Sequence, residues 1–436
     1  MEEYELEHTG CARQEAVLVR GGNRLCGELT VQGAKNSTLP LLAAALLCEG
    51  ETVLHNCPAL SDVHTAVTIL RRLGCRCTHT GDTLTVCADG MTRCDIPHSL
   101  MREMRSSIVF LGAILSRCGE ARLSFPGGCE LGPRPIDLHL EALRKLGAEI
   151  REEHGCLLCT APGGLRGGFV SLAFPSVGAT ENAMLAAVGA EGVTVIENAA
   201  CEPEIVDLAG FLTACGAKIA GAGTGRVTVK GGQPLTGATY TILPDRIETA
   251  TFLCACAACG GTLTLRRTAP RLAEPILNSL TESGCRFSCT HDTIQISRDG
   301  PLIACRPVIS KPYPGFPTDA MPVLLASQLR AEGQTDFTET IFENRFGYAR
   351  ELKKLGAQLR QDENTVHLRG APQLYAAQLF AEDLRGGAAL VLAAMQAEGE
   401  STIFGVKHIE RGYDTLEAAL QSVGARLKTV EIPKKM

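Results

Sequence analysis

Residues 124–135, SFPGGCELGPRP, hold one thiol among three prolines and three glycines. That density of turn formers makes a loop. In it Cys129 lies five residues from Arg134, and a neighbouring cation draws a thiol toward the thiolate, the form that acts as nucleophile. On spacing alone the segment is equally a structural surface turn with an incidental cysteine. A second set of chemistry-bearing residues comes in pairs: Lys35-Asn36, Arg105-Ser106, Ser176 with Thr180, Asp245-Arg246, Thr318-Asp319 and Asp383 with Arg385. Each opens an apolar run of helix length. Ser, Thr, Asn and Asp are ordinary caps at such places. Lys35, Arg105 and Arg246 are not, because a cation opposes the positive end of the helix dipole. Several of them together predict an external anion at the helix starts, hence a site for an anionic ligand.

The elements that must position these residues follow from an internal repeat. Helix-ending glycines recur in a similar frame at Gly74, Gly147, Gly216, Gly284, Gly356 and Gly424, about 70 residues apart. A second series, Gly50, Gly119, Gly192, Gly260, Gly333 and Gly399, precedes them. In the first copy residues 39–47 are apolar on all sides and read as a buried helix. The alternating ETVLHN then reads as a strand. Val63, Val67, Leu70 and Leu73 follow at helical spacing, and the segments CRCTHT and TLTVCA form a hairpin. Each unit is therefore helix, strand, helix, hairpin. One unit cannot bury its apolar helix alone, so six units predict two domains of three, with helices enclosed by sheets. From the first glycine to the second the copies measure 24, 28, 24, 24, 23 and 25 residues. The longest is the copy that carries Cys129, and insertions in repeats map to loops, often on a binding face.

Composition bounds the rest. The chain has 436 residues, 45% of them hydrophobic and 21% charged, with a net charge of −6. That fits a globular protein and argues against a general nucleic-acid or membrane-surface binder. The apolar run 39–48 is about half a membrane span, and the acidic start MEEYELEHTG is no secretory signal. Twenty cysteines without a signal imply reduced thiols in the cytoplasm, most of them small core fillers. Cys75 and Cys285 fall where other copies have Ala148, Ala217, Ala357 and Ala425, and Cys215 where others have Leu73, Leu146, Leu355 and Val423. The pairs Cys156/Cys159 and Cys256/Cys259 have no second pair at zinc spacing, so no metal site is expected.

Nine segments in order carry a resemblance: VQGAKNSTLPLLAAALL, FPGGCELGPRPIDLH, PSVGATENAMLAA, ENAACEPEIVDL, LPDRIETATF, FPTDA, TETIFENRF, DLRGGAALVLAA and HIERGYD. Together they resemble the UDP-N-acetylglucosamine 1-carboxyvinyltransferases, the enolpyruvyl transferases of the first committed step of peptidoglycan synthesis. The match runs from about residue 17 to residue 427. The resemblance implies an α/β (α+β) fold, a two-domain inverted α/β prism of six βαβαββ-type repeats with buried helices surrounded by sheets. The first prism domain would be residues 35–242, carrying the Cys129 loop. The second would be discontinuous, residues 14–34 plus 243–430, with the active site in the cleft between them. It also implies that phosphoenolpyruvate and UDP-N-acetylglucosamine are the small-molecule substrates, with no cofactor, nucleic acid, membrane or obligate protein partner.

The roles come from the same matched motifs. Cys129 is similar to the family's acid at C3 of phosphoenolpyruvate, and Asp319 to the base for the sugar 3-hydroxyl. Lys35, Arg134 and Arg411 resemble the cations that clamp the donor's phosphate and carboxylate, with Asn36 a further contact. Arg105, Pro135, Ile136, Asp137, Leu138, Ser176, Val177, Gly178, Asp319 and Ile341 fall at positions that bind the nucleotide sugar. Asp245, Arg345 and Arg385 are polar positions along the cleft or ion pairs that close the domains, and His139 is scaffold or site. Glu202 and Glu204 read as helix-start carboxylates held by the dipole. Cys201 stands where the family has a basic residue, and Ala320-Met321 replaces a polar position after the base. The shikimate-pathway transferases share fold and donor, but PGGC and ENAA-x-EPEIVD belong to the sugar-nucleotide branch. A catalytically silent relative is disfavoured by intact Cys129, Asp319, Lys35, Arg134 and Arg411.

Overall fold

A computed structural model describes residues 13–125 and 136–433, without the side chain of Arg105. Its helices alternate between two kinds. The Ser61–Leu73 helix is two-faced: Val63, Ala66, Val67, Leu70 and Leu73 are buried, while Arg71 and Arg72 face solvent. It stops at Gly74, whose φ of 106° closes the last turn on Arg71 O; a side chain there would also lie 2.5 Å from Gly90 O. The Lys35–Ala44 helix, by contrast, has nine of its ten residues buried. It begins earlier than residue 39, the apolar limit in the sequence, and residues 45–47 tighten into a 3-10 turn. The polar Asn36, Ser37 and Thr38 belong to the helix because Thr38 Oγ1 returns a hydrogen bond to Ala34 O, 2.9 Å away. Lys35 and Asn36 are thereby placed in the first turn.

Six four-stranded sheets surround helices of the second kind. Phe169–Ser171 runs parallel to Val193–Glu197, which pairs antiparallel with Arg226–Lys230, itself antiparallel to Lys218–Ala220. The parallel pair is joined by the buried Val177–Gly189 helix, the connection that parallel strands require. All six sheets share this order, but three borrow a strand. Thr239–Thr241 pairs with Glu51–His55, Leu25–Thr30 with Gly261–Arg266, and Arg13–Arg20 lies between Glu400–Phe404 and Arg426–Pro433.

Two separate hydrophobic cores result. One runs from Leu39 to Ile242 around the Lys35–Ala44, Phe110–Cys118 and Val177–Gly189 helices. The other combines Val17–Val31 with Ile247–Leu427 around the Arg246–Cys259, Met321–Ser327 and Leu384–Ala394 helices. Cys75, Cys215 and Cys285 are buried within them. The chain crosses between the bodies in two extended segments that touch in a single bridge at Gly33 and Pro244. Only glycine fits this crossing, since a Cβ on Gly33 would fall 1.7 Å from Asn56 O. This is the inverted prism of six repeats, and its crossing point delivers Lys35 and Arg246 to the boundary between the bodies.

Candidate active site

Three of the six buried helices are capped by their own side chains. Ser176 Oγ accepts from Ala179 N–H at 3.3 Å, Asp245 from Ile247 and Glu248 N–H at 2.7 and 3.1 Å, and Asp383 from Arg385 and Gly386 N–H. The other three begin after Ala34, after Ala320 and after the 3-10 turn Arg105–Val109, with no side-chain cap. The uncapped starts carry Lys35, Asp319 and Arg105.

Asp319 precedes the Met321–Ser327 helix and is half-buried. One carboxylate oxygen accepts from Arg345 Nη2, the other from Arg385 Nη2 at 3.3 Å. Arg345 is fixed in turn by donating to Thr318 O from Nε and Nη2, at 3.2 and 3.0 Å, and lies over the Phe342 ring. Burial pushes the Asp319 carboxyl up, but Arg385 and Arg345 outweigh it and hold the acid well below the usual carboxylate range. Lys35 adds to the same pull, so the opposing body contributes to this centre. Arg385 is buried over the Tyr413 ring, and by distance and angle its Nε and Nη1 find no hydrogen-bond partner among the described residues.

Lys35 and Arg411 meet on a second carboxylate. Lys35 Nζ donates to Asp62 Oδ2 at 2.9 Å; Arg411 donates from Nε to Oδ1 at 3.0 Å and from Nη2 to Oδ2 at 3.3 Å. Burial and the nearby guanidiniums of Arg385 and Arg411 lower the Lys35 pKa against the raising effect of Asp62. Asp62 is itself held below its ordinary value, its two cations outweighing its burial. Asn36 is half-buried in the first turn beside Lys35. Two centres, each a carboxylate between two cations, therefore stand close enough to feel each other, and the Asp62 centre itself spans the two bodies through Arg411.

Ile136, Asp137 and Leu138 open the Asp137–Lys145 helix, with Asp137 exposed. Ser176, Val177 and Gly178 open the Val177–Gly189 helix, and the two starts adjoin: the His139 ring would touch a Cβ placed on Gly178. Ile341 is brought to Asp319 through buried Glu339, which accepts from Ile341 and Phe342 N–H, Ser310 Oγ and Thr318 Oγ1 at 2.6 to 3.1 Å. Cys129, Arg134 and Pro135 lie outside the described residues, as does the side chain of Arg105.

Several expectations change. Asp245 is a buried helix cap, one of its oxygens accepting from two backbone N–H groups. His139 pairs with Asn182 Nδ2 at 2.8 Å, and burial takes its pKa down to about 4, so it is a neutral pin between two helices. Arg246 needs no external anion: Glu204 receives it through both oxygens, at 3.0 and 3.3 Å, across the body boundary. Glu204 is thus an ion-pair partner, while Glu202 accepts from Tyr313 N–H at 3.4 Å. Lys35 likewise has an internal partner. The sequence alone did not single out Asp62 or Glu339; an acid in a first helical turn, as Asp62 is, passes for a dipole partner. No group of three or more potential metal ligands occurs among the described residues.

A family model described as EPSP synthase (3-phosphoshikimate 1-carboxyvinyltransferase) matches residues 19–420. The chain is 47% identical over 407 residues to UDP-N-acetylglucosamine 1-carboxyvinyltransferase 2 of Caldanaerobacter subterraneus subsp. tengcongensis, covering 93% of this chain and 97% of that one. It is 46% identical over 421 residues to UDP-N-acetylglucosamine 1-carboxyvinyltransferase 1 of Symbiobacterium thermophilum, covering 95% of each. Among solved structures, the enolpyruvyl transferase NikO from Streptomyces tendae superposes with a TM-score of 0.88 at 27% identity, over 97% of this chain and all of that one. EPSP synthase from Acinetobacter baumannii shares the fold, with a TM-score of 0.74 at 19% identity over 96% of this chain and all of that one.

Proposed function

Because the chain belongs to the UDP-N-acetylglucosamine 1-carboxyvinyltransferase family of enolpyruvyl transferases, we propose that it moves the enolpyruvyl group of phosphoenolpyruvate onto the 3-hydroxyl of UDP-N-acetylglucosamine and releases phosphate. The sugar oxygen adds to C2 of the donor as C3 takes a proton. The tetrahedral intermediate then loses that proton from C3 and breaks the C2–O bond to phosphate. The single observation that carries the reading is the paired arrangement at the boundary: Asp319 between Arg345 and Arg385, and Asp62 between Lys35 and Arg411, near enough that Lys35 acts on the Asp319 carboxyl.

In this reading Asp319 accepts the hydroxyl proton and is ionised to do so at neutral pH. Two guanidiniums on one carboxylate make it a weak base, so drawing either toward a bound anion raises its basicity when the hydroxyl arrives. Lys35, Arg411 and Arg134 hold the donor's carboxylate and phosphate, charges that grow as the C–O bond breaks. Asn36 adds a contact, and Cys129 supplies the proton to C3 or holds the donor covalently at C2. Arg105, Pro135 to Leu138, Ser176 to Gly178 and Ile341 take the nucleotide sugar. The acid, the base and the cations all come from the chain, so the reading assigns no cofactor.

The two cores support residues 35–242 and 14–34 plus 243–430 as domains that close on the substrates. Among the described residues no helix is long and apolar enough to cross a membrane. We place the protein in the cytoplasm, where its product would feed wall growth and so cell shape, division and the cell cycle. The deciding experiment measures phosphate release from phosphoenolpyruvate with UDP-N-acetylglucosamine or shikimate 3-phosphate as acceptor. Release with the sugar nucleotide alone is expected; release only with shikimate 3-phosphate, or with neither, overturns the reading. Fosfomycin, a phosphoenolpyruvate-like epoxide, is expected to alkylate Cys129, read as one adduct mass on that peptide.

A further inference from the structure

Gln32 lies in the crossing segment, three residues before Lys35, and no role in the reaction has yet been given to it. All four of its hydrogen-bonding groups bond to distant segments of the second body, of which it is part. Its N–H donates to Glu248 Oε2 at 2.7 Å, and its carbonyl accepts from Asp245 N–H at 2.9 Å. Both partners belong to the capped start of the Arg246–Cys259 helix, so the Gln32 backbone is fixed on a rigid element. The side chain reaches another segment. Nε2 donates to Gly412 O at 3.0 Å, and Oε1 accepts from Asp414 N–H at 3.3 Å. Between these two residues Tyr413 is buried, with its hydroxyl 2.8 Å from Thr251 Oγ1. The turn that follows Arg411 is therefore held at three successive residues, two of them by one amide.

These contacts close a ring. The chain runs from Gln32 to Lys35, Lys35 bonds Asp62, Asp62 bonds Arg411, and the residues after Arg411 bond Gln32. Only a side chain that both donates and accepts can grip a carbonyl and an N–H together, and among uncharged residues Asn and Gln do so with one flat group. We propose that Gln32 is a positioning residue for Arg411: it holds the Gly412–Asp414 turn so that the guanidinium is presented to the donor's anionic groups beside Lys35. The proposal rests on Arg411 being a donor-binding cation.

The test is a double-mutant cycle on phosphate release. kcat/KM for phosphoenolpyruvate is read at saturating UDP-N-acetylglucosamine, and for the sugar nucleotide at saturating donor. Gln32 lines a cavity of about 220 Å³ between the bodies, and Gln32→Leu and the unbranched Gln32→Met keep roughly its bulk while removing the amide. Either variant removes two hydrogen bonds and should raise KM for phosphoenolpyruvate about tenfold. KM for the sugar nucleotide and the melting temperature should stay near wild type. In an Arg411→Ala background Gln32→Leu should add less than about twofold, because the group it positions is gone. Equal losses for both substrates, no loss at all, or a full tenfold loss on top of Arg411→Ala would overturn the positioning role. If Arg411→Ala leaves the donor KM unchanged, the donor-binding reading of Arg411 falls and the role of Gln32 with it. An effect of Arg411→Ala without one of Gln32→Leu sinks only the latter. Should Gln32→Leu fail to fold, Gln32→Met carries the same comparison.

Discussion

Two aspartates at the boundary between the bodies each hold two cations, and they do so in opposite senses. At Asp62 the acid is the hidden partner: its side chain is 4% exposed, whereas Arg411 is 28% exposed. At Asp319 the acid is the 28% exposed partner, and Arg345 and Arg385 are 2% and 4% exposed. A buried ion pair contributes little net stability, but it fixes geometry, because removing one partner strands the other. At Asp62 the buried acid is therefore the scaffold, with Arg411 the more exposed cation and Lys35 beside it at 10% exposure; at Asp319 the buried guanidiniums are the scaffold and the acid is left free to meet a ligand. One centre presents cations to the donor's anions; the other presents a carboxylate to a hydroxyl. The same three-charge motif thus serves binding or proton transfer according to which charge faces out.

The largest expected effect breaks the second centre. Asp319→Asn keeps the shape and a hydrogen-bond acceptor but cannot take a proton, so kcat should fall by about 10²- to 10⁴-fold with little change in either KM. Steady-state phosphate release measures it, and a loss confined to KM would make Asp319 a binding residue instead. Asp62→Asn tests the scaffold of the first centre and should act on stability. It leaves Lys35 buried without its carboxylate, at a cost of roughly 3 kcal/mol in denaturant unfolding. The sign with pH follows from Asp62 being held below its ordinary value. The folded state then binds fewer protons than the unfolded one in acid. The contribution is complete above the ordinary aspartate pKa of about 3.9 and is lost as the pH falls through the folded value. Asp62→Asn should flatten that acid limb, and an unchanged limb would deny Asp62 its charge role. Arg385→Lys is milder. It keeps a charge near Asp319 but gives up the flat fork, and kcat should drop about tenfold with both KM values retained.

The two centres differ in how far they could be read from residues alone. Lys35 and Asp319 stood out because a charge at the start of an apolar helix contradicts its surroundings, and the repeat set those starts in register. The glycine that ends each outer helix was legible for a like reason: at Gly74 only a residue comfortable at positive φ closes the turn. Asp62 was not legible. An acid in the first turn of a two-faced helix satisfies the local dipole, and nothing nearby in sequence shows that it faces Lys35 and a residue 349 positions away. Arg246 misled for the complementary reason. It did need an anion, but Glu204 on the other body provides one at a separation of 42 residues. The borrowed strands belong to the same class, since Arg13–Arg20 finds its neighbours near the far end of the chain. Local conflict between a residue and its element is visible in sequence; its resolution by a distant partner is not.

The smallest effect sharpens the comparison at the level of the helices beneath the two centres. Asp383 caps the Leu384–Ala394 helix through Arg385 and Gly386 N–H, at 3.0 and 2.9 Å, and so sets the backbone from which Arg385 reaches Asp319. The Lys35–Ala44 helix has no side-chain cap, and its first turn lies beside the donor cations. If a cap satisfies the backbone where no ligand is expected, Asp383→Ala should cost about 1 kcal/mol of stability by urea unfolding. Its effect on the donor KM should be negligible, because the capped N–H groups are already used within the fold. The converse change, Ala34→Asp, places a carboxylate where the first-turn N–H groups of the Lys35 helix and the donor both lie. It should raise the donor KM several-fold by competing for Lys35, even where it steadies the helix. Opposite outcomes in the two variants would assign the uncapped start to packing rather than to anion binding, and would leave the donor clamp to side chains alone, Lys35 and Arg411 with Arg134 and Asn36.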